Sequence, residues 1–142
     1  MRTRSTDEIE GFEFDWLASD ADGAVAFFST AGAGHAPEEL LDDTDAYDGA
    51  IDSILATPAC TDAACSRSDL QNTWARMAER GVFAFDSDPL GGPYKRIASP
   101  DQPIRVEQLP AAAAMVAARV HLIHLRFSSL TEISTDQLKR KK

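Results

Sequence analysis

The chain has 142 residues, an ordinary size for one domain, and its 44% hydrophobic and 26% charged residues give a globular rather than a disordered balance. Its net charge of −9 excludes the basic footprint of a general nucleic-acid binder and the polybasic patch of a membrane-surface protein. The charge is uneven: residues 1–4 carry +2, residues 5–66 carry fifteen acids and no Lys or Arg, and residues 67–142 carry +4.

Phe12, Phe14 and Trp16 alternate with Glu13, Asp15 and Leu17, a period of two that predicts a half-buried strand. Asp20-Ala21-Asp22-Gly23 is a tight-turn signal, and residues 24–29 follow as a second strand, closing a hairpin. Small residues fill the loop from Ser29 to Ala36. Pro37 then opens a helix, where its missing N–H is harmless, and Glu38 and Glu39 suit the positive end of the helix dipole.

That helix is expected to run to about Ala56, before Pro58. Leu40, Leu41, Tyr47, Ile51, Ile54 and Leu55 recur at three- and four-residue spacing and form its core-facing sector. Glu38, Asp42, Asp45 and Asp52 fall together on the opposite side around Gly49, with Asp43 and Asp48 flanking the apolar sector. From Glu38 to Asp52 the acidic stripe is about 21 Å long at the helical rise.

The Cys60–Cys65 segment reads as a loop holding a reduced thiol pair. Ser68 and Gln71 form a capping-box pattern for a second helix over 69–80, with Leu70, Trp74 and Met77 facing the core and Gly81 as its stop. Residues 82–85 and 94–98 read as a second hairpin around the Asp86–Pro93 turn, and residues 104–106 as a short edge strand. Pro110 opens an Ala-rich helix over 111–119. Residues 120–127 fit either a helical continuation or a strand, and the return of period two favours the strand. Residues 1–8 and 137–142 are expected to be frayed ends.

The order of elements predicts a single α+β domain: an antiparallel sheet of two hairpins and a late strand, with two to three helices packed on one face. The N-terminus lacks the apolar core of a signal peptide, and the apolar run over 111–125 is interrupted by Arg119, His121 and His124. The expected location is therefore the cytoplasm.

No motif carries strong chemistry. The Ser29–His35 loop lacks the Gly-Lys-Ser/Thr of a phosphate cradle, with no lysine before Lys95. Catalysis by His35 on Ser29 or Thr30 needs an orienting acid and an oxyanion site, and a plain connecting loop explains the same residues. His121 and His124 lack the Glu of a His-Glu-x-x-His metal motif, the two cysteines have no matching ligand pair, and Asp86 and Asp88 lack EF-hand spacing. No cofactor or metal is expected. The acidic stripe is different, because its like charges at Glu38/Asp42, Asp42/Asp45 and Asp45/Asp48 stand at mutually repulsive helical spacings. A basic partner would relieve that repulsion, whereas an acidic solvated face would merely carry it.

Three stretches resemble a group of small bacterial proteins: Phe12-Glu13-Phe14-Asp15-Trp16-Leu17-Ala18, the Asp20–Gly23 turn, and Phe28-Ser29-Thr30-Ala31-Gly32. Gly92-Pro93-Tyr94-Lys95-Arg96-Ile97-Ala98 and Leu109-Pro110 resemble their second half. Those proteins are similar to immunity proteins of polymorphic toxin systems, including those of type VI secretion. The resemblance implies a non-enzymatic cytoplasmic inhibitor of a cognate toxin domain and carries over no catalytic residue. The partner-binding residues expected from the charge pattern are Glu38, Asp42, Asp45 and Asp52, with Asp43 and Asp48 at the rim. The alternatives are a small enzyme built on the Ser29–His35 loop and an acidic regulatory module.

Overall fold

Trp16, Phe28 and Phe85 are cross-strand neighbours on three adjacent strands, so they share one face of a sheet. Leu17, Phe27 and Ala84 are neighbours on the same strands and share the other face. All six are buried, which is why these strands are apolar in continuous runs. The computed structural model describes residues 14–66, 72–87 and 90–139.

The first hairpin joins β1 (Asp15–Asp20) to β2 (Val25–Ser29). Then come α1 (Glu38–Asp42), α2 (Thr44–Leu55), the short strand β3 (Ala63–Cys65) and α3 (Thr73–Ala78). The second hairpin is β4 (Phe83–Asp86) and β5 (Tyr94–Pro100). A 3-10 turn at Val106–Gln108 leads to α4 (Ala111–Ala117), followed by β6 (His121–Leu122), β7 (Glu132–Ile133) and α5 (Thr135–Leu138).

The described strands form one seven-stranded sheet in the order β3-β5-β4-β2-β1-β6, with β7 also paired to β5. The class is α+β, and the sheet is mostly antiparallel. Two pairings are parallel, however: β2 with β4 and β1 with β6. The first arises because the two hairpins meet through a long crossover containing α1, α2, β3 and α3. Parallel neighbours need a crossover of that kind.

Several expectations are corrected. The first strand is buried on both faces rather than half-buried, since every residue from Trp16 to Asp20 is inside. Helices therefore do not simply line one open sheet. The helices α2 and α4 lie over β1, and α3 lies over β4 and β5. An aromatic cluster closes around Phe28, which stacks on Trp16 at 4.1 Å and on Phe85 at 5.2 Å. Tyr94 and Phe127 meet it edge-on at 5.1 and 6.0 Å. Each such pair adds roughly 0.5–1.5 kcal/mol beyond its area burial.

The cysteine loop contains a strand, because Ala63 to Cys65 complete the edge of β5. Both cysteines are free. The expected strand at 104–106 is only a single bridge from Arg105 to Ala24, followed by the 3-10 turn. Residues 120–127 yield just two strand residues, because Leu125 N–H turns back to the Leu122 carbonyl. Two further elements, β7 and α5, stand in the segment before the C-terminus, where no separate element was expected. Ser134 and Gln137 cap α5 reciprocally and Leu138 is buried, so residues 137 and 138 are not frayed. The expectations at residues 1–8, Phe12, Glu13, Ser68, Leu70, Gln71, Asp88 and 140–142 lie outside the described residues.

Two turns follow the sequence closely. Gly23, at φ +80°, closes the first hairpin in the left-handed region. Val82 N–H returns to Met77 and Gly81 N–H to Ala78, the paired bonds of a Schellman stop at the end of α3.

Candidate functional site

The expected single helix over 37–56 is two helices. Asp43 is non-helical, with φ −157° and ψ 72°, and its carboxylate accepts the Ala46 N–H at the start of α2. The residue therefore ends α1 and caps α2, as aspartate commonly does. The same carboxylate lies 3.6 Å from the Arg119 guanidinium, beyond the end of α4. Asp43 is thus committed within the fold and is not simply a rim charge.

The continuous stripe from Glu38 to Asp52 is corrected accordingly. Glu38 and Asp42 are exposed on α1, whereas Asp45, Asp48 and Asp52 are exposed on α2. These last three stand at i, i+3 and i+7, one face of one helix. Asp48 was expected at the flank and instead stands within that face. The face is acidic because Thr44, Tyr47, Ala50, Ile51 and Ile54 take the opposite, buried side. Gly49 lies in the same exposed turn, and a Cβ built there would meet nothing within 4 Å.

The Arg119–Asp43 pair places the end of α4 beside the start of α2. Ile54 and Thr57 line one cavity with Leu109 and Pro110, which places the start of α4 beside the end of α2. The two helices therefore run antiparallel. Ala113 and Ala117 bring α4 close to the core with little side-chain bulk. Its other side presents Ala111, Ala112, Met115 and Ala118 to solvent.

A second acidic feature was hidden in the sequence. Asp62, Glu79 and Asp101 line a cleft of about 520 Å³ with Cys60, Thr61 and Gln102. The Glu79 carbonyl accepts N–H bonds from Cys60 and Thr61, and the Asp62 carbonyl accepts one from Asp101, which draws the three segments together. Long sequence separation concealed this arrangement. Among the described residues, no group of three or more His, Cys, Asp or Glu side chains is arranged to hold a metal ion.

The Ser29–His35 loop is buried at its start, while Ala33 is exposed. Ser29 and Thr30 are each 1% exposed, so neither hydroxyl is accessible to a substrate. Thr30 accepts the Phe14 N–H at 2.9 Å, and the His35 carbonyl accepts the Tyr94 hydroxyl at 2.7 Å. Gly34 is fitted tightly, because a Cβ there would lie 2.7 Å from Ser87 and 2.9 Å from the Tyr94 oxygen.

His121 is partly buried and His124 exposed, because the strand ends at Leu122 and His124 stands in the turn that follows. His121 Nδ1 lies 2.9 Å from the Ser19 hydroxyl, a pairing across parallel strands that no local sequence pattern signals. Ser19 is 2% exposed, so this is a fastening of β6 to β1 and no accessible nucleophile. Asp20 fastens the same region. Its carboxylate accepts the N–H groups of Asp22, Ala24 and Phe127 at 2.8–2.9 Å. Charge-assisted bonds of this kind are stronger than neutral ones, and they hold the turn and Phe127 to the sheet.

No described helix is long and apolar enough to cross a membrane. No protein-family model, curated protein or solved structure matches the chain.

Proposed function

We propose that the chain is a non-enzymatic immunity protein that binds a basic cognate toxin domain through the acidic face of α2. A nuclease toxin is the class whose positive charge fits that face best. The carrying observation is the exposure of Asp45, Asp48 and Asp52 on one helix face within a stretch, residues 5–66, that has no Lys or Arg. Like charges three and four residues apart cost a helix a few tenths of a kcal/mol each. A basic partner converts that cost into attraction and speeds encounter, more strongly at low salt. Glu38 and Asp42 on α1 extend the acidic surface, with Asp43 oriented by Arg119 at its border.

The test is co-expression with the C-terminal domain of a large secreted protein encoded beside this chain's gene. Growth rescue and a co-purifying complex are expected. Replacing Asp45, Asp48 and Asp52 together by lysine is expected to lower affinity at least tenfold, with circular dichroism unchanged. Absence of both rescue and complex, or full binding by the triple variant, rejects the reading.

A further inference from the structure

We infer that a cleft at one end of the sheet binds a free α-amino acid with an apolar side chain, its ammonium group on Asp20 and its carboxylate on Arg105. The cleft is lined by the first hairpin turn, Phe83 at the start of β4, the 103–105 segment and Ser128. Its volume of about 210 Å³ lies below the roughly 300–1,000 Å³ of drug-sized sites, which limits the ligand to a small molecule. The cleft shares no residue with the acidic face of α2, so this inference stands apart from the toxin reading.

Two unmatched charges carry the argument. Asp20 is 1% exposed, and among the described residues no cation pairs with it. Aspartate is almost never this buried without a partner of opposite charge. Its carboxylate is satisfied only in part: Oδ1 accepts from Asp22 and Ala24, whereas Oδ2 accepts from Phe127 alone. An ionised carboxylate offers about four acceptor positions, so Oδ2 keeps one for a further donor. Arg105 is the opposite case. It is exposed, it lines the same cleft, and its guanidinium has no partner among the described residues. In a chain with 23 acids and 14 bases, a shortage of acids does not explain an unpaired arginine.

Backbone bonds hold both groups at the cleft. The Ala24 N–H that donates to Asp20 belongs to the residue bridged to Arg105. Ile104 N–H bonds to the Gly81 carbonyl and Val106 N–H to the Gly23 carbonyl, which pins the chain on either side of Arg105. The Asp20 and Arg105 side chains nevertheless form no ion pair with each other. The further carboxylate lining the cleft, Asp22, is already matched by Arg126 at 3.2 Å. One carboxylate and one guanidinium are left to face a ligand, and a zwitterion supplies the missing partner of each. A plain cation would be opposed by Arg105, and a plain anion by Asp20. Phe83, Pro103 and Ile104 form apolar walls, which suit an aliphatic side chain between the two charges.

The experiment titrates the full isotope-labelled chain with three probes, followed by amide NMR. L-leucine carries both charges, isoamylamine is its skeleton without the carboxylate, and isocaproate is its skeleton without the ammonium group. Leucine is expected to shift amides at 20–24, 104–106 and 127–128. It should bind at least tenfold more tightly than either analogue, the loss expected for one missing charge-assisted contact. Arg105→Gln is expected to weaken leucine binding at least tenfold and to leave isoamylamine binding undiminished. Arg105 is exposed and joins the fold through its backbone, so this variant should keep the wild-type urea midpoint. Asp20→Asn would also loosen the hairpin turn, so isocaproate, which leaves the protein intact, tests the Asp20 contact instead.

Equal binding of leucine and isoamylamine would make the cleft a cation site and overturn the inference. Equal binding of leucine and isocaproate would make it an anion site, with the same consequence. Leucine shifts centred outside the cleft, no leucine shifts up to millimolar concentration, or undiminished leucine binding by Arg105→Gln would also overturn it.

Discussion

Tyr94 and Tyr47 are the chain's two tyrosines, and both side chains are buried. Tyr94 belongs to the aromatic side of the sheet. Its hydroxyl accepts from Trp16 Nε1 at 3.2 Å and donates to the His35 carbonyl at 2.7 Å. Tyr47 belongs to the helical layer on α2. Its hydroxyl has no hydrogen-bond partner among the described residues. The same chemical group is satisfied in one region and left unpaired in the other. The aromatic side is built as a closed network, whereas the helical layer tolerates a polar loss beneath an exposed acidic surface.

The sharpest break in this comparison is Tyr94→Phe. It removes a donor and an acceptor at once, leaving Trp16 Nε1 and the His35 carbonyl without that oxygen. A loss of about 2 kcal/mol is expected, read as a lower urea midpoint with unchanged slope. A loss no greater than that of a surface substitution would show that the network is incidental.

The reverse sign is expected at Tyr47. Removing an unpaired buried hydroxyl while keeping the ring, as in Tyr47→Phe, should raise stability by about 1 kcal/mol. Both hydroxyls also hold their protons above the ordinary tyrosine range. Burial is the main cause in each case. Glu39 adds to it at Tyr47 against the opposing Arg119, and Asp86 and Asp15 add to it at Tyr94 against the opposing Trp16 bond. In the unfolded chain both ionise near pH 10. The folded state therefore binds more protons above that pH, so stability is fully present below about pH 10 and falls as pH rises past it. Each Tyr→Phe variant should lose part of this alkaline slope, which urea titrations at pH 8 and pH 11 would measure. An equal slope in wild type and both variants would contradict the burial argument.

The same contrast explains what the sequence made legible. The two hairpins, the Gly23 turn, the Gly81 stop and the Ala-rich helix rest on local chemistry, namely alternation, left-handed glycine and proline at a helix start. They are read from a few adjacent residues. The parallel pairings of β2 with β4 and β1 with β6 depend on contacts far apart in the chain, for which no local signal exists. The acidic face was visible because helical period is local. Its interruption was not, since Asp43 keeps the spacing of a helical residue while serving as a cap. The cleft of Asp62, Glu79 and Asp101 escaped for the same reason as the parallel pairs.

The smallest effect concerns Gly49, where the acidic face and helix stability meet. A glycine inside a helix costs roughly 0.5–1 kcal/mol relative to alanine, through the backbone freedom it loses on folding. At Gly34, in the loop before α1, the close approach of Ser87 and Tyr94 gives glycine a packing reason. At Gly49 no such reason exists in the free chain, since a Cβ would meet open space and the residue is exposed in the middle of α2. Gly49→Ala should therefore stabilise the fold by roughly 0.5–1 kcal/mol, measured by thermal or urea unfolding. Loss of stability instead would mean that the backbone at Gly49 is not the regular helix described. The same variant separates two accounts of the acidic face. If the face only solvates the protein, alanine leaves every interaction unchanged. If a partner backbone or side chain lies against α2 there, a stabilised protein should bind that partner less well, a combination that a general folding defect cannot produce.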